Sequence, residues 1–239
     1  MDFERWALIV VDMQNDFLAK GGYYDRKEKH EAQVRQGKLS SEEMIVRLAQ
    51  PSSVPRGGFT VRTASLTTII DNVCRVITCA KREQMTIAYL RAVYDHKFDF
   101  KPRFLANPDR RHYPCKPRTW GAAFIDPINK LIPEQTTVPS ETVIDKHTFD
   151  GFFKTDLCKF LRTRRVHTVL VAGVETHICV LTTAQSASLN QFKTIILEDC
   201  VATAREGLAE CALEVFRDGF GDTRLSTEIF QNQSKRLVY

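Results

Sequence analysis

The 239-residue sequence has no C-x-x-C pair, no glycine-rich phosphate loop and no apolar run long enough to span a membrane. Each absence excludes a class of protein. Its seven cysteines, Cys74, Cys79, Cys115, Cys158, Cys179, Cys200 and Cys211, are odd in number and irregular in spacing, which argues against structural zinc and a disulfide scaffold. With no G-x-G-x-x-G after the first apolar run, a dinucleotide has no cradle, and the sequence calls for no cofactor. Lys plus Arg number 34 against 29 Asp plus Glu, but this surplus of +5 is scattered rather than gathered into a basic stripe with stacking aromatics. No nucleic-acid partner is expected, although the surplus suits attraction of an anionic substrate. The start, Met1 to Trp6, lacks a basic segment leading into an apolar core, so the expectation is a cytoplasmic protein without a membrane partner.

What is present is a well-mixed chain, 43% hydrophobic and 26% charged, which fits one domain over residues 1–239. Short apolar runs recur at Ala7 to Val11, Thr86 to Val93, Thr142 to Ile144, Thr168 to Ala172 and Thr194 to Leu197. Segments of helical spacing separate them: Ala64 to Arg82, Ala122 to Ile132, Lys154 to Arg164, Val180 to Asn190 and Arg205 to Asp218. Strands apolar almost throughout, alternating with helices, imply an α/β fold whose parallel sheet is covered on both faces. The stretch at about 21–58 departs from this pattern. It is polar and punctuated by Gly21-Gly22, Pro51, Pro55 and Gly57-Gly58, and reads as a surface excursion with one short helix near Ser41 to Leu48.

In parallel sheets ligands gather beyond the carboxyl ends of the strands, so the residues following each run carry the functional signal. Cys179 lies in Gly173-Val174-Glu175-Thr176-His177-Ile178-Cys179-Val180, between a strand and a helix. A thiol at that junction meets the unpaired N–H groups and positive dipole end of a helix, a setting that activates sulfur. Asp12 ends Ala7-Leu8-Ile9-Val10-Val11-Asp12 and is placed to be a general base. Lys146 follows Val143-Ile144-Asp145 and could hold a thiolate and a carboxylate together. Asp145 and His147, flanking the lysine, are the competing candidates for its role. Taken singly, Asp12 is equally a turn carboxylate and Lys146 a surface cation. Their convergence with Cys179 is what argues for catalysis.

Three ordered motifs carry a resemblance: the first strand with Asp12-Met13-Gln14-Asn15-Asp16-Phe17, the run Lys146-His147-Thr148-Phe149-Asp150-Gly151-Phe152-Phe153, and the segment around Cys179, with Trp120-Gly121-Ala122 as a fourth piece. Together they resemble the isochorismatase-like cysteine hydrolases, which include nicotinamidases, N-carbamoylsarcosine amidohydrolase, and ureidoacrylate and biuret hydrolases. The resemblance implies a three-layer Rossmann-like fold with a six-stranded, mostly parallel sheet, and a homo-oligomer. It also implies a triad of Asp12, Lys146 and Cys179, a cis peptide between Val174 and Glu175, and an oxyanion hole from the backbone N–H groups of Glu175 and Cys179. Glu175, His177 and Asp150 depart from the residues usual at those places and leave specificity open.

Retention of the cysteine favours C–N hydrolysis over vinyl-ether cleavage, so the expected substrate is a small amide, ureido or carbamoyl compound. Phe17, Trp120 and Phe152 could wall the pocket, Arg118 or Lys116 could grip a carboxylate, and Gln14 or Asn15 could bind an amide. A metal-assisted nicotinamidase is the alternative, but Asp95 and His96 are adjacent and His112 is the only later histidine before the third strand, so no metal site is expected. A non-catalytic scaffold on the same fold is the other. A catalytic Cys179 is expected to be the thiol most reactive toward labelling near neutral pH.

Overall fold

The computed structural model describes residues 3–25, 65–95, 113–133, 139–205 and 207–230. Six strands form one sheet: β1 (Trp6–Val11), β2 (Thr86–Ala92), β3 (Glu141–Lys146), β4 (Thr168–Val174), β5 (Lys193–Ala202) and β6 (Asp222–Arg224). Their order is β3-β2-β1-β4-β5-β6, and every pairing is parallel. The order reverses direction at β1. The crevice of such a sheet opens there, between the carboxyl ends of β1 and β4.

Alternation along the central strands assigns each residue to a layer. Leu8 and Val10 of β1, with Ile87, Tyr89, Leu170 and Ala172, join one core, closed by Ile69, Val73, Val76, Ile77 and Ala80 of α2 (Leu66–Arg82). Ala7, Ile9 and Val11, with Ala88, Leu90, Val169 and Val171, join the other. That second core is covered by α4 (Leu157–Thr163), α5 (Leu181–Leu189) and α6 (Leu208–Gly219). Burial of each large aliphatic side chain in these layers contributes about 1.5–3 kcal/mol, which is why strands apolar on both faces sit only in the middle of such a sandwich. The helix α2 starts where Ser65 accepts a hydrogen bond from the Thr68 N–H at 3.2 Å.

Three expectations needed adjustment. The helix expected over Ala122 to Ile132 is a 3-10 turn, Trp120–Ala122, then a short α3, Asp126–Asn129, because Pro127 fits only the first turn of a helix. The strand β3 is half exposed, since it lies at the sheet edge with Val143 and Asp145 outward. Finally, β5 runs longer than its apolar core. Val171 pairs with Ile196 but Gly173 with Val201, so Leu197 to Cys200 bulge. The Asp199 carboxylate uses that excursion to accept from the Ser226 N–H at 2.7 Å and from its hydroxyl, fastening the closing helix α7 (Ser226–Phe230). The short α1 (Asn15–Leu18) follows β1. Most of the polar excursion at 21–58 lies outside the described residues, as does the tail past 230.

Candidate active site

Asp12, the first residue past β1, has φ 51°, in the left-handed region that an aspartate tolerates better than most side chains. Its N–H still bonds Leu90 O at 3.0 Å, so the chain turns at the sheet edge without leaving it. Lys146 ends β3 two strands away and points inward, where its neighbours Asp145 and His147 do not. The Lys146 Nζ lies 2.8 Å from Asp12 Oδ2, with both side chains wholly buried, and it also donates to Thr148 O at 3.1 Å. Asp145 instead pairs with Arg91 at the surface, and the His147 ring sits 2.7 Å from Val93 O.

Cys179 comes from the other side of the switch point. The segment Thr176–Val180 is a single π-helical turn between β4 and α5, preceded by the cis peptide bond Val174–Glu175. Both Asp12 and Lys146 act on the buried sulfur through charge and through a hydrogen bond. The approach of β4 to β1 at this height depends on Gly173, with φ 121°: a Cβ there would overlap the Val11 backbone.

The electrostatics follow from the burial. Burial pushes the Cys179 thiol well up; Lys146 pulls it down, Asp12 raises it again, and the net direction is upward. Burial also raises the Asp12 carboxyl, against the pull of Lys146. For Lys146 burial acts downward, but Asp12 and Cys179 outweigh it and the ammonium is held. At rest the sulfur is therefore a neutral thiol beside the Lys146 ammonium. A thiol that is 4% exposed and pushed upward holds little thiolate at rest, so its proton leaves as it attacks.

The other expected contacts divide. Gln14 Nε2 donates to Ala92 O and Ala122 O, each at 2.8 Å, while its Oε1 accepts from the Ala92 N–H at 2.7 Å. Both donors are engaged by the backbone, so Gln14 fastens β1, β2 and the 3-10 turn instead of binding an amide. Asn15 likewise donates to Trp120 O at 2.9 Å. Phe17 belongs to the α2-side core, its ring 5.5 Å from that of Tyr24. Trp120 is 56% exposed and Arg118 is exposed. Phe152 packs 6.1 Å from Phe192, the residue before β5, against the core layer that α4, α5 and α6 cover. The Asp150 carboxylate caps its own loop, accepting from the Phe152 N–H at 2.8 Å and the Ser186 hydroxyl at 2.7 Å.

Two residues near the sulfur escaped the sequence reading. Tyr94, buried just past β2, has its phenol raised first by burial and then by the charges of Cys179 and Asp12. Tyr24 is raised in the same way by burial, then Glu175 and Cys179. Both phenols stay protonated within electrostatic reach of the nucleophile. The rule that flagged Asp12, attention to the residues after each strand, applies equally to Tyr94. Tyr24 gave no signal, because it opens the polar excursion.

Among the described residues no group of three or more His, Cys, Asp and Glu could hold a metal ion; His96 and His112 lie outside them. Among the same residues no helix is long and apolar enough to cross a membrane.

Comparison with known proteins now bears on this geometry. The family model described as the isochorismatase domain matches residues 6–228. The ureidoacrylate amidohydrolase of Cronobacter turicensis is 25% identical over 216 residues, covering 87% of this chain and 79% of its own. Among solved structures, the nicotinamidase of Bacillus subtilis superposes with a TM-score of 0.68 at 21% identity, covering 92% of this chain and 99% of that one. The N-carbamoylsarcosine amidase of Thermoplasma acidophilum gives 0.60 at 20% identity, covering 93% and 96%.

Proposed function

The chain belongs to the isochorismatase family, and on that premise we propose that it hydrolyses a non-peptide C–N bond of a small amide, ureido or carbamoyl compound, with Cys179 as nucleophile. The observation that supports this reading most is the wholly buried ion pair of Asp12 and Lys146 against the Cys179 sulfur. A buried pair is costly to keep and gives a fold little stability over an apolar substitute, so its presence at the switch point favours chemistry.

The steps follow from the protonation states. Asp12 takes the Cys179 proton as the sulfur attacks the carbonyl carbon. The oxyanion is received by the backbone N–H groups of Glu175 and Cys179. Asp12 then passes the proton to the departing nitrogen, the C–N bond breaks, and a thioester to Cys179 remains. Asp12 next deprotonates a water that attacks the thioester carbon, and returns that proton to the sulfur as the acid leaves. Lys146 keeps a compensating positive charge in place as the negative charge moves from carboxylate to sulfur to oxygen, so none of these stages isolates a charge in a dry site.

Of the substrate classes, ureido compounds fit best: a sequence relative over most of the chain is a ureidoacrylate amidohydrolase. Ammonia release measured across 3-ureidoacrylate, biuret, N-carbamoylsarcosine and nicotinamide tests the assignment. A ureido compound is expected to lead; preference for nicotinamide would move the chain to the other branch. The proposal includes self-association, to be checked by light scattering of the purified chain.

A further inference from the structure

The turn that carries the nucleophile is tied to the neighbouring strand by a side chain that the reaction itself does not use. Glu175 is buried, and its carbonyl accepts from the Ile178 and Val180 N–H groups, each at 3.1 Å, so this residue organises the turn from its own backbone. Its carboxylate reaches across to the chain just beyond β5. There Oε2 accepts from the Thr203 hydroxyl at 2.8 Å and from the Ala204 N–H at 3.1 Å. Thr203 is fully buried.

The Thr203 hydroxyl has one proton and two lone pairs. Its proton goes to Glu175 Oε2, the same oxygen that accepts from the Ala204 N–H. The Arg205 N–H, 3.4 Å away, takes one lone pair. His177 Nδ1, 2.7 Å away, must therefore donate to the other. The ring is neutral at ordinary pH, since burial and then Arg205 lower its basicity. A neutral imidazole with a proton on Nδ1 leaves Nε2 as a bare acceptor. One hydroxyl thus fixes both the carboxylate of residue 175 and the tautomer of residue 177, four and two positions before the sulfur.

We propose that Glu175 is a positioning residue: through Thr203 it locks the turn between β4 and α5, and so aims the Glu175 and Cys179 N–H groups at the reacting oxygen while holding His177 as its Nδ1–H tautomer. This rests on the cysteine hydrolase reading above. Oxyanion donors contribute only when they sit within a few tenths of an ångström of where the charge develops, so a loosened turn slows the chemical step more than binding.

The test uses the full-length protein with 3-ureidoacrylate as substrate. Thr203→Val and Glu175→Ala are expected to lower kcat about tenfold or more with KM changed less than about threefold. Thr203→Ser and Glu175→Gln, which keep the hydroxyl and an acceptor oxygen, are expected to restore most of the loss. Nitrogen-15 NMR of the wild-type His177 ring is expected to show Nδ1–H, and Thr203→Val a shift toward Nε2–H. Wild-type kcat in Thr203→Val, a loss confined to KM, or an Nε2–H ring in the wild type would each overturn the proposal. Full turnover by Cys179→Ala would instead overturn the reading of the site and the oxyanion role with it, while the ring measurement still reports on the lock.

Discussion

Two consecutive residues of β3 each pair with an opposite charge, and the two pairs could hardly differ more. Asp145 meets Arg91 in a fork at 2.7 and 3.0 Å, with about two fifths of each side chain in water. Lys146 meets Asp12 at 2.8 Å with no exposure on either side. On distance alone they are equivalent. The surface pair is screened and contributes at most about 1 kcal/mol, whereas the buried pair has given up its hydration and depends on each partner to hold the other's charge. The period of two along a strand turns adjacent residues to opposite faces, so one edge strand supplies both an ornament of the surface and a part of the reaction centre.

The comparison can be broken most directly at the sulfur. Cys179→Ala is expected to reduce turnover about a thousandfold or more, read as initial rates of ammonia release. Near-normal turnover would strip the buried pair of its chemical purpose. Next, Lys146→Met should destabilise the fold by about 3–5 kcal/mol, because Asp12 is left buried without a partner, and denaturant titration measures this. The double variant Asp12→Asn with Lys146→Met is expected to recover much of that stability and none of the activity. Gly173→Ala, which places a methyl group on the Val11 backbone in a left-handed conformation, should lower stability by roughly 2 kcal/mol or more in the same titration.

A pH profile sharpens the contrast. Asp12 must be ionised to accept the thiol proton, and burial raises its carboxyl. As pH falls, kcat/KM should therefore decline at a higher pH than an ordinary aspartate, near 4, would give. Smallest of all, Arg91→Ala should change stability by at most about 1 kcal/mol and leave the rate untouched.

Much of this was legible in the sequence for reasons that the two pairs illustrate. Asp12 stands at the end of a strand that is apolar on both faces and Cys179 in the turn after another, where a reactive side chain is conspicuous. Lys146 was less plain, because β3 is an edge strand whose exposed Asp145 looks as qualified, and only the pleat decides between them. Phe152 and Gln14 were misplaced for opposite reasons. The loop after β3 packs Phe152 against the core layer that α4, α5 and α6 cover, and Gln14 is polar but consumed by three backbone groups from segments distant in sequence. Tyr24 and the Glu175–Thr203–His177 lock depend on contacts that no local pattern announces.

The Asp16 carboxylate has a practical bearing on redesign. It accepts from the Tyr23 N–H at 2.9 Å and the Cys115 N–H at 2.7 Å, and a Cβ on Gly121 would land on it. Two segments that a protein engineer would treat as separate modules thus share one knot. Grafting either of them from a relative to change what the enzyme accepts would strip a hydrogen bond from that carboxylate or set a side chain against it, so loop transplantation here calls for moving residues 14–25 and 113–122 as a single cassette.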